Sequence, residues 1–244
     1  MEFQDVVRRR HMVRRFTSEP VPQQSLDRIL RNAVRGPSAG FSQGQAFLVL
    51  TGDDLPRFWE VAGEATYPSA QAAPLVIVPL SAKRIYLDRY ARPDKGWTDR
   101  DEARWPVPFW HIDTGMATLL ILLTVVDEGL GAVYFGVMPA AIDPLRAAFG
   151  VPADHTPIGA IAIGHDADTD RSVFTAQRRP KVSQPDPPET HSAPSTSSNC
   201  SPRPSKHSRW SEPHTCTSLT SSTASSLRQG RPPASAHSRI RSDC

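Results

Sequence analysis

The spacing of apolar positions marks out most of the secondary structure. In residues 22–34, Leu26, Ile29, Leu30 and Ala33 share one helical face and Asp27, Arg28 and Arg31 lie opposite, so an amphipathic helix is predicted with Pro22 in its first turn. Residues 46–51 (AFLVLT) and 74–80 (PLVIVPL) are short apolar runs suited to buried strands. Asp53 or Asp54 is placed to cap a helix through Phe58, Trp59 and Val61. A long connection, residues 81–110, is rich in aromatic residues, charge and proline; loops of this length usually form lids or binding segments. Asp113 or Thr114 then begins the most apolar helix, which ends at Gly129 and should lie centrally in the core. Residues 132–137 (AVYFGV) predict a strand, Pro139–Phe149 a helix closed by Gly150, and residues 158–164 (IGAIAIG) a last strand. Helices and strands alternate without a fixed-period repeat, which predicts α/β or α+β architecture with a helix-covered sheet.

Composition sets the limits of that domain. Beyond Pro180 the chain is mostly Ser, Pro, Thr, Arg and His, with scattered apolar residues such as Leu219, Leu227 and Ile240. Too little apolar surface is available there to offset the entropy of ordering, so residues 181–244 are expected to be a disordered tail after a folded domain of residues 1–180. Cys200, Cys216 and Cys244 all lie in that tail. A disulfide framework is therefore not expected, and the cysteine spacings match no zinc pattern. The N-terminal region is charged and lacks an apolar signal core, and the apolar stretch 115–126 is short for a bilayer, so a soluble, cytoplasmic protein with no membrane partner is expected. The net charge of +3 owes much to the tail and gives little reason to expect a nucleic-acid partner.

Four segments have the residue types for a ligand site. Residues 8–16 hold Arg8, Arg9, Arg10, Arg14 and Arg15. Arginine forks suit phosphate, although a solvated basic helix end would look the same. Residues 37–45 (PSAGFSQGQ) combine small residues with neutral donors and acceptors, as would either a ligand loop or a polar turn. Tyr134 and Phe135 lie between Gly131 and Gly136, where a strand end could offer a bare N–H to a flat ligand or simply form a sheet edge. Arg178 and Arg179 are basic residues at the end of the folded part. His111, His155 and His165 are scattered without triad or metal spacing, and no GxGxxG or P-loop occurs. No acid–base set, nucleophile or metal site stands out, which points to chemistry delegated to a cofactor.

In this order the four segments resemble the nitroreductase family of flavoproteins. Residues 10–16 (RHMVRRF) resemble its Arg-Arg-Ser-Val-Arg-x-Phe opening, with His11 and Met12 replacing the second Arg and the Ser. Residues 37–45 keep the Pro, Ser and Gln of its Pro-Ser-x-x-Asn-x-Gln-Pro-Trp segment and lose the Asn, Pro and Trp. Gly129, Leu130 and Gly131 before the Gly136 strand are similar to its Leu-Gly-Leu-Gly stretch, and residues 149–152 (FGVP) with 161–164 (IAIG) to its Leu-Gly-Ile-Pro and closing strand. The resemblance implies an α+β fold with a mixed sheet flanked by helices, built as an intertwined homodimer with FMN at the interface. It implies Arg10 on the FMN phosphate with His11 and Met12 along that edge, and Arg14 by the pyrimidine side of the ring. Pro37, Ser38 and Gln43 would contact flavin from the partner or the ring edge. Tyr134 and Phe135 would flank the ring, the Gly136 N–H would face its reactive nitrogen, and Arg178 would reach back to the phosphate. The implied reaction is electron transfer from NAD(P)H through bound flavin to a small, flat acceptor such as a nitroaromatic or quinone, by a ping-pong cycle without a protein catalytic residue or metal. Related chemistries within the resemblance are reductive dehalogenation and flavin breakdown; a catalytically impaired flavin binder is the non-enzyme alternative. Trp97, Trp105, Phe109 and Trp110 would wall an acceptor pocket or pack a dimer interface. After Arg179 and Pro180 the tail departs from the short arm that in this family often wraps the partner.

Overall fold

Side chains alternate between the two faces of a strand, and here helices cover both faces. The computed structural model describes residues 1–167 and 239–241. Its elements are α1 (Phe3–Arg9), α2 (Gln23–Ala33), β1 (Gln45–Thr51), α3 (Asp54–Ala62), β2 (Leu75–Ser81), α4 (Lys83–Tyr90), α5 (Phe109–Asp127), β3 (Gly131–Phe135), α6 (Pro139–Phe149), β4 (Thr156–Pro157), β5 (Ala160–Gly164) and β6 (Arg239–Arg241). The sheet runs β3-β5-β2-β1-β6, with β4 paired to the end of β2, and each of these pairings is antiparallel. The architecture is the expected α+β class.

The two cores follow from the period of two. Phe47 of β1, Leu75 and Ile77 of β2, and Ile161 and Ile163 of β5 pack with Ile29 and Ala33 of α2 and with Ala117, Ile121 and Val125 of α5. The alternate residues, Leu48, Leu50, Val76, Val78, Leu80 and Ala162, pack with Phe58 and Ala62 of α3 and Leu145 and Phe149 of α6. Every residue of β2 is buried, which is why its sequence reads as a continuous apolar run rather than an alternating one.

Several sequence expectations shift in detail. Asp53 occupies the N-cap of α3, but its side chain makes no cap hydrogen bond. Helix α5 starts at Phe109, a turn before the expected Asp113 or Thr114; Gly129 follows it at φ 74°. The aromatic start of α5 has the composition of the preceding connection, which hid the first turn. That connection also contains α4 and is therefore not a structureless loop. The whole of α5 is long and apolar enough to cross a membrane by length and composition, unlike the shorter stretch 115–126, yet half of its most apolar window is buried inside the domain. It is the expected core helix on one side only: Ile112 (40 % exposed), Met116 (36 %) and Leu119 (49 %) line an open face. Of the expected tail, Arg239–Arg241 pairs with Phe47, Leu48 and Val49 along the outer edge of β1; its other residues, and Arg178, lie outside the described residues.

Candidate functional site

The arginine segment is seated by backbone. After α1, the chain runs alongside the start of β3, where the Val13 N–H donates to the Ala132 carbonyl (2.9 Å). It then bridges antiparallel at Phe16 and Asp166, with Thr17 N–H donating to the His165 carbonyl and Ala167 N–H to the Arg15 carbonyl, each at 3.0 Å. Gly131 makes the first approach possible, because a β-carbon there would lie 2.6 Å from Val13 Cγ2. Val13 and Phe16 are buried and Arg10 and Arg14 are part-buried, so the apolar residues of the segment hold its arginines at the sheet edge.

The residues expected along this edge come together. The Tyr134 N–H points at Met12 Sδ (3.5 Å), and the Tyr134 hydroxyl donates to the Ile158 carbonyl across Gly159, where a β-carbon would overlap the ring. Burial raises the Tyr134 pKa. Phe135 is buried, stacked on Trp59 (5.9 Å, 24°) and edge-on to Phe58 (6.5 Å). Gly136 is exposed at the strand end, with no atom within 4 Å of where its β-carbon would stand. Arg14 donates from Nη1 to the Met12 carbonyl (3.2 Å) and lies over the Tyr67 ring (5.0 Å); its carbonyl accepts from Ser69 Oγ (2.8 Å). Arg10 makes no ion pair among the described residues, whereas Arg8 pairs with Asp5 and His11 Nε2 lies 3.8 Å from Asp166. Tyr67, Ser69 and Trp59 were not expected here. Tyr67 and Ser69 belong to a proline-containing turn whose sequence carries no signal for proximity to residue 14, and Trp59 reaches Phe135 from α3.

The 37–43 turn stands on other elements, α4 and α5. Gly40, Phe41 and Gln43 all have positive φ (62°, 54° and 54°), a conformation that costs energy at the two non-glycine positions. Ser38 Oγ accepts from Gln43 N–H (3.0 Å), Ser42 Oγ donates to the Ala39 carbonyl (2.6 Å), and Arg89 Nε donates to the Gly40 carbonyl (2.9 Å). Glycine is needed at 40 and 44 for contact as well, since β-carbons would come within 2.6 Å of Tyr90 and 2.5 Å of Tyr86. Pro37 and Phe41 are exposed. The candidate residues thus form two sets within one chain, one at the β3 edge and one on the turn over α4 and α5.

The aromatic connection packs on itself. Trp105 lies 4.5 Å from Tyr90, 5.4 Å from Trp97, 5.8 Å from Trp110 and 6.0 Å from Phe109, forming a small satellite core that fastens the connection to α4 and α5. A serine–histidine pair invisible in the sequence also appears, with Ser81 Oγ 2.8 Å from His111 Nδ1. Burial, followed by nearby Lys83, lowers the His111 pKa. Ser81 is only 1 % exposed, so its hydroxyl has no access to a substrate and the pair is structural. Among the described residues no His, Cys, Asp and Glu group could hold a metal ion.

A helix-covered α+β sheet, with a basic segment along one edge beside a bare strand end, defines a domain suited to an anionic, flat ligand. The chain belongs to the nitroreductase family, whose model matches residues 7–165. A curated relative from Methanothermobacter thermautotrophicus, provisionally named NADH dehydrogenase/NAD(P)H nitroreductase, is 26 % identical over 184 residues, spanning 73 % of this chain and 85 % of the relative. The fold is shared with an FMN-dependent nitroreductase from Clostridium difficile (TM-score 0.53, 20 % identity, 68 % of this chain and 88 % of that one). It is also shared with a provisionally named NAD(P)H:FMN oxidoreductase from Staphylococcus epidermidis (TM-score 0.56, 18 % identity, 73 % and 92 %).

Proposed function

We propose that the protein is an FMN-dependent NAD(P)H oxidoreductase reducing a small, flat acceptor such as a nitroaromatic or quinone. The observation that carries this reading is the seating of residues 10–14 against β3, which brings Arg10 and Arg14 to the same edge as Tyr134 and Gly136. The residues fit the cofactor: a part-buried arginine without an ion pair among the described residues suits a phosphate, and the exposed Gly136, with open space where a side chain would stand, leaves the strand end uncovered for a flat group. Bound FMN would supply the redox chemistry, taking a hydride from NAD(P)H and passing electrons to the acceptor in a ping-pong cycle.

The protein's part is to bind and orient. Arg10 holds the phosphate, with His11 and Met12 along that edge. Arg14, its carbonyl fixed by Ser69, places positive charge by the pyrimidine side, where it favours the reduced, anionic ring. Tyr134 would border the ring and the Gly136 N–H would face its reactive nitrogen. Phe135, buried on the opposite face against Trp59 and Phe58, would back the strand from the core instead of flanking the ring. Pro37, Ser38 and Gln43 complete the site, in our reading from the second subunit of a homodimer. Two observations support that assembly: the candidate residues form two sets within one chain, and the Ile112–Met116–Leu119 face of α5 is open. A groove of about 390 Å³ beside it, lined by Phe3, Val6, Leu120 and Leu123, extends the apolar surface. We place the enzyme in the cytoplasm, with residues 1–180 as its catalytic domain and Arg178 as a further phosphate contact.

Purified protein loaded with FMN tests the reading. It should be yellow, bleach with NADPH or NADH, and recover its colour on adding a quinone or nitroarene. Arg10→Ala should weaken FMN binding by about tenfold or more, the loss expected for a charged hydrogen bond, and Arg9→Ala should leave it nearly unchanged. A yellow protein inert to both nicotinamides would make it a flavin binder, and one that takes up no FMN would end the proposal.

A further inference from the structure

We infer that Asp113, on α5, is a positioning residue that holds the 37–43 turn in its ligand-ready shape. This rests on the reading of that turn as part of the flavin site. Asp113 is 3 % exposed, inside the most apolar helix of the domain. One oxygen, Oδ2, accepts from the Ala39 backbone N–H (2.8 Å) and from the Tyr86 hydroxyl (2.9 Å). Burial, followed by the bond to Asp113, raises the Tyr86 pKa, so that hydroxyl stays a donor. A buried carboxyl group is costly unless its partners satisfy it, and a core helix gains nothing from a polar residue at this position. The partners show what the group does: it ties a core helix to Ala39 of the turn, whose next two residues, Gly40 and Phe41, are left-handed.

Three anchors hold the turn from below: Asp113 at Ala39 N, Arg89 at the Gly40 carbonyl, and the Ala82 N–H at the Gly44 carbonyl (2.8 Å). Of the two side-chain anchors only Asp113 is buried, Arg89 being partly exposed, so it is the side-chain anchor less weakened by competition with water. The turn's strain needs such an anchor, because left-handed backbone at Phe41 and Gln43 persists only where surrounding contacts overdetermine it. Asp113 therefore acts through the backbone of Ala39 and presents Ser38 and Gln43 in fixed positions without itself touching the ligand.

Three variants of the full chain separate positioning from plain stability. Asp113→Asn keeps an acceptor oxygen for both donors. Asp113→Ala removes it. Tyr86→Phe removes the other donor and leaves Asp113 on Ala39. Hydrogen exchange over residues 38–43 is read in the flavin-free protein, leaving out Gly44, whose backbone also bonds to the Tyr86 hydroxyl, and FMN affinity by quenching of flavin fluorescence. Asp113→Ala should speed exchange across the turn and weaken FMN binding about tenfold or more. Asp113→Asn should restore both to near wild type, and Tyr86→Phe should lower the melting temperature while leaving both near wild type. Unchanged exchange in Asp113→Ala, or FMN affinity that follows stability through Tyr86→Phe, overturns the inference. Faster exchange with unaltered FMN affinity overturns the cofactor link alone. Failure of the wild type to bind FMN defeats the flavin reading, and this inference with it, and is seen before any variant is made.

Discussion

Replacing Gly131 with alanine tests how the arginine segment is seated. The added β-carbon would lie 2.6 Å from Val13 Cγ2 and 2.9 Å from Val13 Cβ. Both residues are buried, so the clash cannot be relieved by swinging a side chain into water. Overpacking of this kind costs ~1–3 kcal/mol. Removing glycine from a strand returns ~0.5–1 kcal/mol, so the overlap wins and the net loss is about 1–2 kcal/mol. For a domain of this size that lowers the melting temperature by about 2–8 °C. Val13→Ala alone removes two methyl groups from the core, about 1.6 kcal/mol of burial at ~0.8 kcal/mol each. It also removes the contacts at Cγ2 and Cγ1 that the alanine at 131 would make and leaves only the Cβ contact at 2.9 Å. The double variant should therefore be more stable than the sum of the singles by up to about 1 kcal/mol, as part of the overlap is relieved. Urea unfolding of the four proteins, followed by circular dichroism, gives the cycle. FMN affinity measured alongside should fall in Gly131→Ala and partly recover in the double variant, because Val13 lies between Arg10 and Arg14. A Gly131→Ala protein with the wild-type urea midpoint, or a strictly additive cycle, would refute the seating argument.

Other expectations follow from particular contacts. His111 has a folded-state pKa below its ordinary value, so the unfolded chain binds its proton more readily; stability should be full above about pH 6.5 and fall as the pH drops below it. His111→Gln should flatten that slope in melting temperature against pH, and an unchanged slope would show that another group causes it. Phe41 is 74 % exposed at φ 54°, so Phe41→Gly should leave stability unchanged or raise it by up to about 1 kcal/mol in thermal melts; a clear loss would show that its ring is packed. Under the proposed homodimer, Met116→Glu with Leu119→Glu should leave a monomer by light scattering where the wild type is a dimer; a monomeric wild type would refute the assembly, and a dimer that persists in the variant would place the interface elsewhere.

How much of this could be read from the chain depended on the range of the interactions. The interiors of β1, β2, β5, α2 and α6 were legible because period and capping are local: α6 ends where Gly150 takes its left-handed conformation, at φ 66°. Ends were missed where two segments share a composition, as at Phe109 and Trp110, whose aromatic character continues the preceding connection into α5. Asp113 was read as a possible helix start because a polar residue before an apolar run is a local signal; its actual role depends on Ala39 and Tyr86, far away in sequence. The candidate site divides in the same way. The arginines and the Gly136 strand end could be named by their order along the chain. Tyr67 over Arg14, Ser69 on its carbonyl and Trp59 behind Phe135 arise only through folding.

The route of the N-terminal segment also orders events during synthesis. Residues 13–17 emerge from the ribosome early, but their partners at Ala132, His165, Asp166 and Ala167 are made at the far end of the domain. Contacts of such long range close late, and a nascent chain lacking β3 and β5 has no seat for Arg10 or Arg14. Under the proposed function, flavin loading is therefore the last step of biogenesis. Until then the arginine segment stays undocked and open to proteases, so the cofactor would reach only molecules that have finished folding.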